Sequence, residues 1–141
     1  MESALVDTSI WSLALRTRDP ADYLRPWLAL FTELLLELRV AIIGPVRQEI
    51  LSGIREEGKF ETLKAALSPL PDLALCQEDF ETAAAFFNRA RSRGIQGSHA
   101  DFLICAVAAS RSLPILSLDD DFKRYATILP VRLIGPAPRP A

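Results

Sequence analysis

The stretch ALVDTS, residues 4–9, decides how the chain is read. Three apolar residues run directly into an acid and two hydroxyls. So short a run suits a buried strand that delivers Asp7 to the rim of a sheet. Thr8 or Ser9 can cap the helix that follows, which carries Ile10, Trp11 and Leu13 to Leu15. Asp7 is itself a good turn and capping residue. With two hydroxyls beside it, however, the cap does not require it.

The same strand-then-helix alternation repeats outward from this point. RDPAD at 18–22 is a break, and Pro26 fits the first turn of a helix running to about Leu38. VAII at 40–43 is a second strand, rich in β-branched residues. Gly44-Pro45 opens the helix VRQEILSGI, and Gly58 separates it from the helix KFETLKAAL, which Pro69 and Pro71 stop. LALC at 73–76 reads as a third strand. From Glu78 to Arg93 the pattern is helical, with Phe80, Ala83, Ala84 and Phe87 on one face. After the loop GIQGS, HADFLICAVAAS is a nearly all-apolar helix and therefore deeply packed. PILSL at 114–118 is a fourth strand, DDFKRYA a short helix and VRLI a fifth strand. Strands that are continuously apolar and alternate with helices predict an α/β fold with a mainly parallel five-stranded sheet covered on both faces. Such sheets bind ligands beyond the carboxyl ends of their strands, where Asp7 and Asp119 both fall.

The totals agree with one domain, spanning residues 1–135, followed by a proline-rich tail at 136–141 that cannot pack a core and is expected to be mobile. The chain has 141 residues, of which 50% are hydrophobic and 24% charged. No stretch is long and apolar enough to span a membrane, and no secretion signal opens the chain. Cys76 and Cys105 lie in apolar surroundings and are expected as two buried thiols, which with the missing signal predicts a cytoplasmic protein. One His and two separated Cys argue against zinc. The formal net charge of −2 does not advertise a broad basic groove for nucleic acid.

Four separated segments each bring an acid next to an apolar element. Asp7 follows the first strand. Glu49 lies in VRQEILSG, where it either faces solvent or shares a face with Gly53, whose missing side chain admits another segment. Asp101 completes an S-x-x-D capping pattern with Ser98, yet it opens a helix that is otherwise apolar, a costly place for a carboxylate without a partner. Asp119, Asp120 and Asp121 come straight after a strand. A helix N-terminus accepts one or two acids, but three repel one another unless a positive charge is near. Residue physics alone does not choose among them. His99 suits a loop or cap, and Ser98 has no triad partners. Arg89, Arg91 and Arg93 end a helix, where they complement its dipole or contact phosphates. Carboxylates held together raise one another's pKa, and a hard divalent cation removes that conflict. An oxygen-only donor set selects Mg²⁺ or Mn²⁺, often as a pair roughly 3.5–4 Å apart that acts on phosphodiesters. Setting the four acids aside leaves 14 of the 18 Asp and Glu against 16 Lys and Arg, so the remainder is mildly basic.

VDTSIW, VRQEILSG, SHADFLICAVA and ILSLDDDF, in that order and across nearly the whole chain, resemble the motifs of the PIN-domain family, and the compact size resembles its VapC toxins. The resemblance implies a three-layer αβα sandwich and a Mg²⁺- or Mn²⁺-dependent endoribonuclease acting as the toxin of a toxin–antitoxin pair. It implies that Asp7, Glu49, Asp101 and Asp119 line a metal pocket and serve catalysis. Ser9 and Asp121 would support them, and Ser117 stands where the family usually has Thr. Family toxins are held inactive by an antitoxin that wraps their helices. WLALFTELLLEL is apolar around more than one face, so Trp27, Phe31 and Leu35 are the expected interface with an antitoxin or with a second copy in a homodimer. The rival reading is an acid-pocket domain that binds RNA or a protein partner without cutting. Receiver and dehalogenase-like phosphoryl-transfer folds fit poorly, the latter because Asp7 is followed by Thr and Ser rather than by D-x-D.

Overall fold

The computed structural model describes residues 2–137. The expected mobility of the proline-rich tail concerns residues of which 138–141 lie outside this range. Four strands form the sheet: β1 (Ala4–Val6), β2 (Val40–Ala41), β3 (Ile115–Leu116) and β4 (Leu133–Ile134). Their order is β2-β1-β3-β4 and every pairing is parallel. The helices between them are α1 (Thr8–Arg16), α2 (Arg25–Leu36), α3 (Gly44–Ser52), α4 (Glu57–Leu67), α5 (Gln77–Ser92), α6 (His99–Arg111) and α7 (Asp121–Ala126). The parallel α/β architecture expected from alternation is therefore present. Ala4, Leu5, Val6, Ile115 and Leu116 are fully buried, which is why these strands read as unbroken apolar runs. α6 supplies the largest continuous part of the core, with Phe102 to Ala108 buried in succession.

The sheet has four strands rather than five, because LALC does not form a ladder. Only an isolated bridge joins Ile42 to Asp72, through the Leu73 amide donating to the Ile42 carbonyl (2.8 Å). Side chains instead bind polar groups of this segment and of the turn before it. Arg47 Nη1 donates to the Leu67 carbonyl (3.0 Å), and Arg47 also binds the Leu70 carbonyl. Arg111 Nη2 donates to the Ala74 carbonyl (2.7 Å), and the Cys76 amide donates to Asp79 Oδ2 (2.9 Å). Periodicity sees an apolar run of strand length. It does not see Arg111, which binds a carbonyl inside the run, or Arg47, which straps the turn before it.

Three further expectations change. The inward face of α5 is Asp79, Ala83, Phe86 and Ala90, whereas Phe80 is 54% exposed and Ala84 is also exposed. The face is rotated because Asp79, a carboxylate, goes inside. It is buried against Arg111, which binds both of its oxygens, Nη2 to Oδ2 at 3.0 Å. Cys105 is buried as expected, but Cys76 is exposed at the start of α5; both are free thiols. Phe31 is 1% exposed, with its ring edge-on to Trp11 at 4.9 Å, so it is a core residue and not an interface residue. No helix among the described residues is long and apolar enough to cross a membrane.

The end of α2 is a Schellman turn. Leu38 N–H donates to Leu35 O and Arg39 N–H to Leu34 O, with Leu38 at φ +57°. Leucine is strained there, and its side chain is 84% exposed. Leu38→Gly is expected to stabilise the isolated protein by about 1 kcal/mol in urea denaturation.

The Asp79–Arg111 pair joins α5, the end of α6 and the 73–76 segment. Asp79→Ala should cost about 3 kcal/mol near neutral pH, since it strands a partly buried guanidinium. Arg111 holds the Asp79 carboxyl well below the usual range. A depressed pKa contributes stability that is full above the ordinary carboxylate value and lost as the pH falls through the folded value. The gap between parent and variant, followed by urea denaturation, should therefore narrow below about pH 4.

Candidate metal centre

β1 and β3 are neighbours with Val6 opposite Leu116, so the residues that leave them meet at the carboxyl edge. The Asp7 amide continues the pairing by donating to the Leu116 carbonyl (3.0 Å). Asp7 is 7% exposed and is itself the N-cap of α1, its Oδ2 accepting from the Ser9 amide at 3.4 Å. The hydroxyls expected to cap the helix do other work. Ser9 Oγ donates to Asp7 Oδ2 (2.8 Å), and Ser117 Oγ donates to the same oxygen (2.7 Å). In turn Ser9 Oγ accepts from the Leu118 amide (2.9 Å) and Ser117 Oγ from the Asp119 amide (3.0 Å). Two serines thus lock the two strand exits to one carboxylate oxygen. Ser9 was expected to support the acids of the site; Ser117 does so as well.

Asp7, Glu49, Asp101 and Asp119 all line one cleft of about 280 Å³, together with Thr8, Ser9, Ser12 and Ser98. Among the described residues, no Lys or Arg lines it. Glu49 projects from α3 and is exposed, with Thr8 Oγ1 donating to its Oε2 (3.1 Å). Gly53 does admit another segment: a Cβ there would strike the Arg16 guanidinium of α1. Asp101 lies in the first turn of α6, which Ser98 caps through the Asp101 amide (3.1 Å).

The four carboxylates are not equally close. The tight group is Asp101, Asp119 and Asp121, each offering an oxygen within 4.8 Å of the others, while Asp7 and Glu49 line the cleft outside that trio. The triple Asp sorts by direction. Asp119 Oδ1 accepts from the Asp121 amide (2.9 Å), Asp121 is ion-paired with Arg124, and Asp120 turns away to Lys123 (3.1 Å). Burial pushes the Asp101 carboxyl above its usual range, and the charges of Asp7 and Asp119 push in the same direction. A hydrogen bond from Tyr125 Oη to Asp101 Oδ2 (2.6 Å) and one from the Ser98 side chain oppose the shift. Tyr125 gave no signal in the sequence, where it reads as one apolar position of a short helix.

Arg89, Arg91 and Arg93 do not line the cleft. Arg89 and Arg91 lie over Phe86 and Phe87, 5.6 and 6.0 Å from the ring centroids. His99 stacks on Phe87 at 4.9 Å and 15°, a packing role.

The carboxyl edge of this parallel α/β sheet carries an all-oxygen acid cleft, a donor set that could hold a hard divalent cation. The PIN domain family model matches residues 4–128, and the chain belongs to that family. It is 32% identical over 126 residues to Ribonuclease VapC11 of Mycobacterium tuberculosis, covering 88% of this chain and 92% of that protein. Among solved structures, FitAcB from Neisseria gonorrhoeae is similar with a TM-score of 0.75 at 24% identity, over 94% of this chain and 97% of that one. VapBC-5, a member of the VapBC family of toxin-antitoxin systems from Mycobacterium tuberculosis, has a TM-score of 0.68 at 20% identity, over 96% and 99%.

The cluster stores repulsion when no cation is bound. In EDTA at pH 7, Asp101→Asn should therefore melt a few degrees above the parent, because the amide keeps an acceptor for Tyr125 but sheds the charge. A lower Tm would show that the acids do not repel one another as the geometry implies.

Proposed function

We propose that the protein is a Mg²⁺- or Mn²⁺-dependent endoribonuclease and the toxin of a toxin–antitoxin pair. The observation that carries this reading is the convergence of Asp7, Glu49, Asp101 and Asp119 on one cleft without a lysine or arginine among the described residues, in a chain whose relative is named a ribonuclease. The donor set fits hard divalent cations: every candidate ligand is an oxygen, and the Asp101, Asp119 and Asp121 oxygens lie within 4.8 Å of one another. A bound Mg²⁺ or Mn²⁺ would neutralise these acids, acidify water for attack on phosphorus and offset charge on the leaving oxygen.

The chain's own residues supply orientation. Asp7 is fixed by Ser9 and Ser117, Glu49 by Thr8 and Asp101 by Tyr125, so the ligand oxygens are aimed before substrate arrives. Asp119 closes the cleft on the side of α7, with Asp121 as its neighbour. RNA phosphates meet cations outside the cleft, among which Arg89, Arg91 and Arg93 are exposed candidates.

An antitoxin would dock on α2. Leu36 is 81% exposed there, next to Leu38, while Trp27 and Leu35 are half-buried. α2 borders a groove of about 730 Å³ lined by Tyr23, Trp27, Leu118, Asp119 and Leu133. Asp119 belongs to both groove and acid cleft, so a partner seated in the groove would also screen the site. The reading includes a homodimer, a cytoplasmic setting and one domain ending near residue 135.

The test is cleavage of total RNA by purified protein with Mn²⁺ or with EDTA. Cleavage should require the metal and fall about 100-fold or more in Asp7→Asn and Asp101→Asn, with both variants folded by circular dichroism. Parent-level cleavage by both would overturn the site. Metal-independent binding of RNA without any cleavage would favour the non-catalytic domain instead.

A further inference from the structure

Tyr125 is fully buried on α7, yet its hydroxyl has a single purpose that packing does not explain. The ring is fixed by Phe102 (centroids 4.9 Å) and by Phe122 edge-on (5.2 Å). A phenylalanine would fill that space without a polar atom to desolvate. A buried tyrosine hydroxyl needs a partner, and here the partner is Asp101 Oδ2 at 2.6 Å.

A second residue is shaped by this contact. Gly97, in the loop before the α6 cap, shows no left-handed φ; it is bare because space is needed. A Cβ there would overlap Tyr125 Oη, lie 2.8 Å from Tyr125 Cζ and 3.0 Å from Phe102 Cε2. The hydroxyl can therefore reach Asp101 only across a glycine.

We propose that Tyr125 is a positioning residue, whose hydroxyl, given room by Gly97, holds Asp101 in the orientation in which the cleft binds a divalent cation. The proposal rests on the metal-nuclease reading above. Asp7 and Asp119 repel the Asp101 carboxylate across the cleft. A lysine or arginine would restrain it but would also cancel the charge that attracts the cation. A neutral donor on one oxygen restrains the group and leaves the other oxygen, still anionic, for the ligand field. Ser98 holds the Asp101 backbone at the same time, so the residue is gripped at both ends.

The experiment is Mn²⁺ titration of the full chain by calorimetry, with Tm in EDTA and RNA cleavage against Mn²⁺ concentration measured in parallel. Tyr125→Phe keeps the ring and should bind Mn²⁺ about 10- to 100-fold more weakly, the usual cost of losing a group that orients a ligand. Its cleavage should recover at raised Mn²⁺, which a merely loosened fold would not produce. Gly97→Ala should weaken Mn²⁺ binding in the same direction and add little in the Tyr125→Phe background, where there is no hydroxyl left to displace. A parent that binds Mn²⁺ and a Tyr125→Phe variant that binds it equally well would overturn the positioning role alone. A parent that binds no Mn²⁺ would overturn the metal-nuclease reading and this proposal with it.

Discussion

One carboxylate oxygen organises the molecule. Asp7 Oδ2 accepts from the Ser9 hydroxyl, the Ser117 hydroxyl and, weakly, the Ser9 amide, directly at the exit of the central strand β1. The parallel register that sets Val6 beside Leu116 places Ser117 where it can reach across. A slip of one residue would turn Asp7 towards the opposite face and break all of these contacts. The same knot starts α1, terminates β3 and fixes the backbone that leads to Asp119. Fold and site are therefore not separable here: the chain closes its sheet and builds its cleft with the same hydrogen bonds.

The treatment of acids differs across the molecule, and the difference is chemical. Asp79 is paired with Arg111, Asp72 with Arg47 at 2.9 Å, and Glu2 with Arg132 at 2.6 Å. These acids hold elements together, and guanidinium groups neutralise them. Asp7, Glu49 and Asp101 are instead held by hydroxyls from Ser9, Ser117, Thr8 and Tyr125. Hydroxyls orient a carboxylate without discharging it. Asp121, bonded to Arg124, is the intermediate case at the rim. A structure that places arginines on its scaffold and hydroxyls on its cleft leaves the cleft carboxylates without a guanidinium partner, where they repel one another.

Much of this was legible in the sequence because it depends on local pattern. Alternating apolar strands and helices gave the parallel sheet, and strand ends gave Asp7 and Asp119. Asp101 was visible as a charge at the mouth of an apolar helix. What stayed hidden depends on side chains meeting across the fold. Arg47 binds the carbonyls of Leu67 and Leu70 and Arg111 that of Ala74, so a strand-like run becomes part of a strapped loop. Asp79 goes inside because Arg111 waits there, which rotates α5 away from the face that Phe80 suggested. Phe31 looked like part of an apolar surface because periodicity cannot distinguish a residue facing Trp11 from one facing solvent. Tyr125 and Gly97 are two ordinary residues until the loop and α7 meet over Asp101.

The end of α2 shows the opposite balance, with local structure kept at a cost that the isolated fold does not repay. The Schellman turn at Leu38 would be easier with glycine, yet the position carries a leucine that is 84% exposed beside Leu36 at 81%. Neither side chain is covered in the isolated chain, so neither the local backbone nor the core accounts for the choice. A surface that is strained and apolar when bare gains on being covered, since burial removes the exposed area and the turn is already formed. That argument concerns the C-terminal end of α2, whereas the groove that runs to Asp119 meets the helix at its other end, at Trp27.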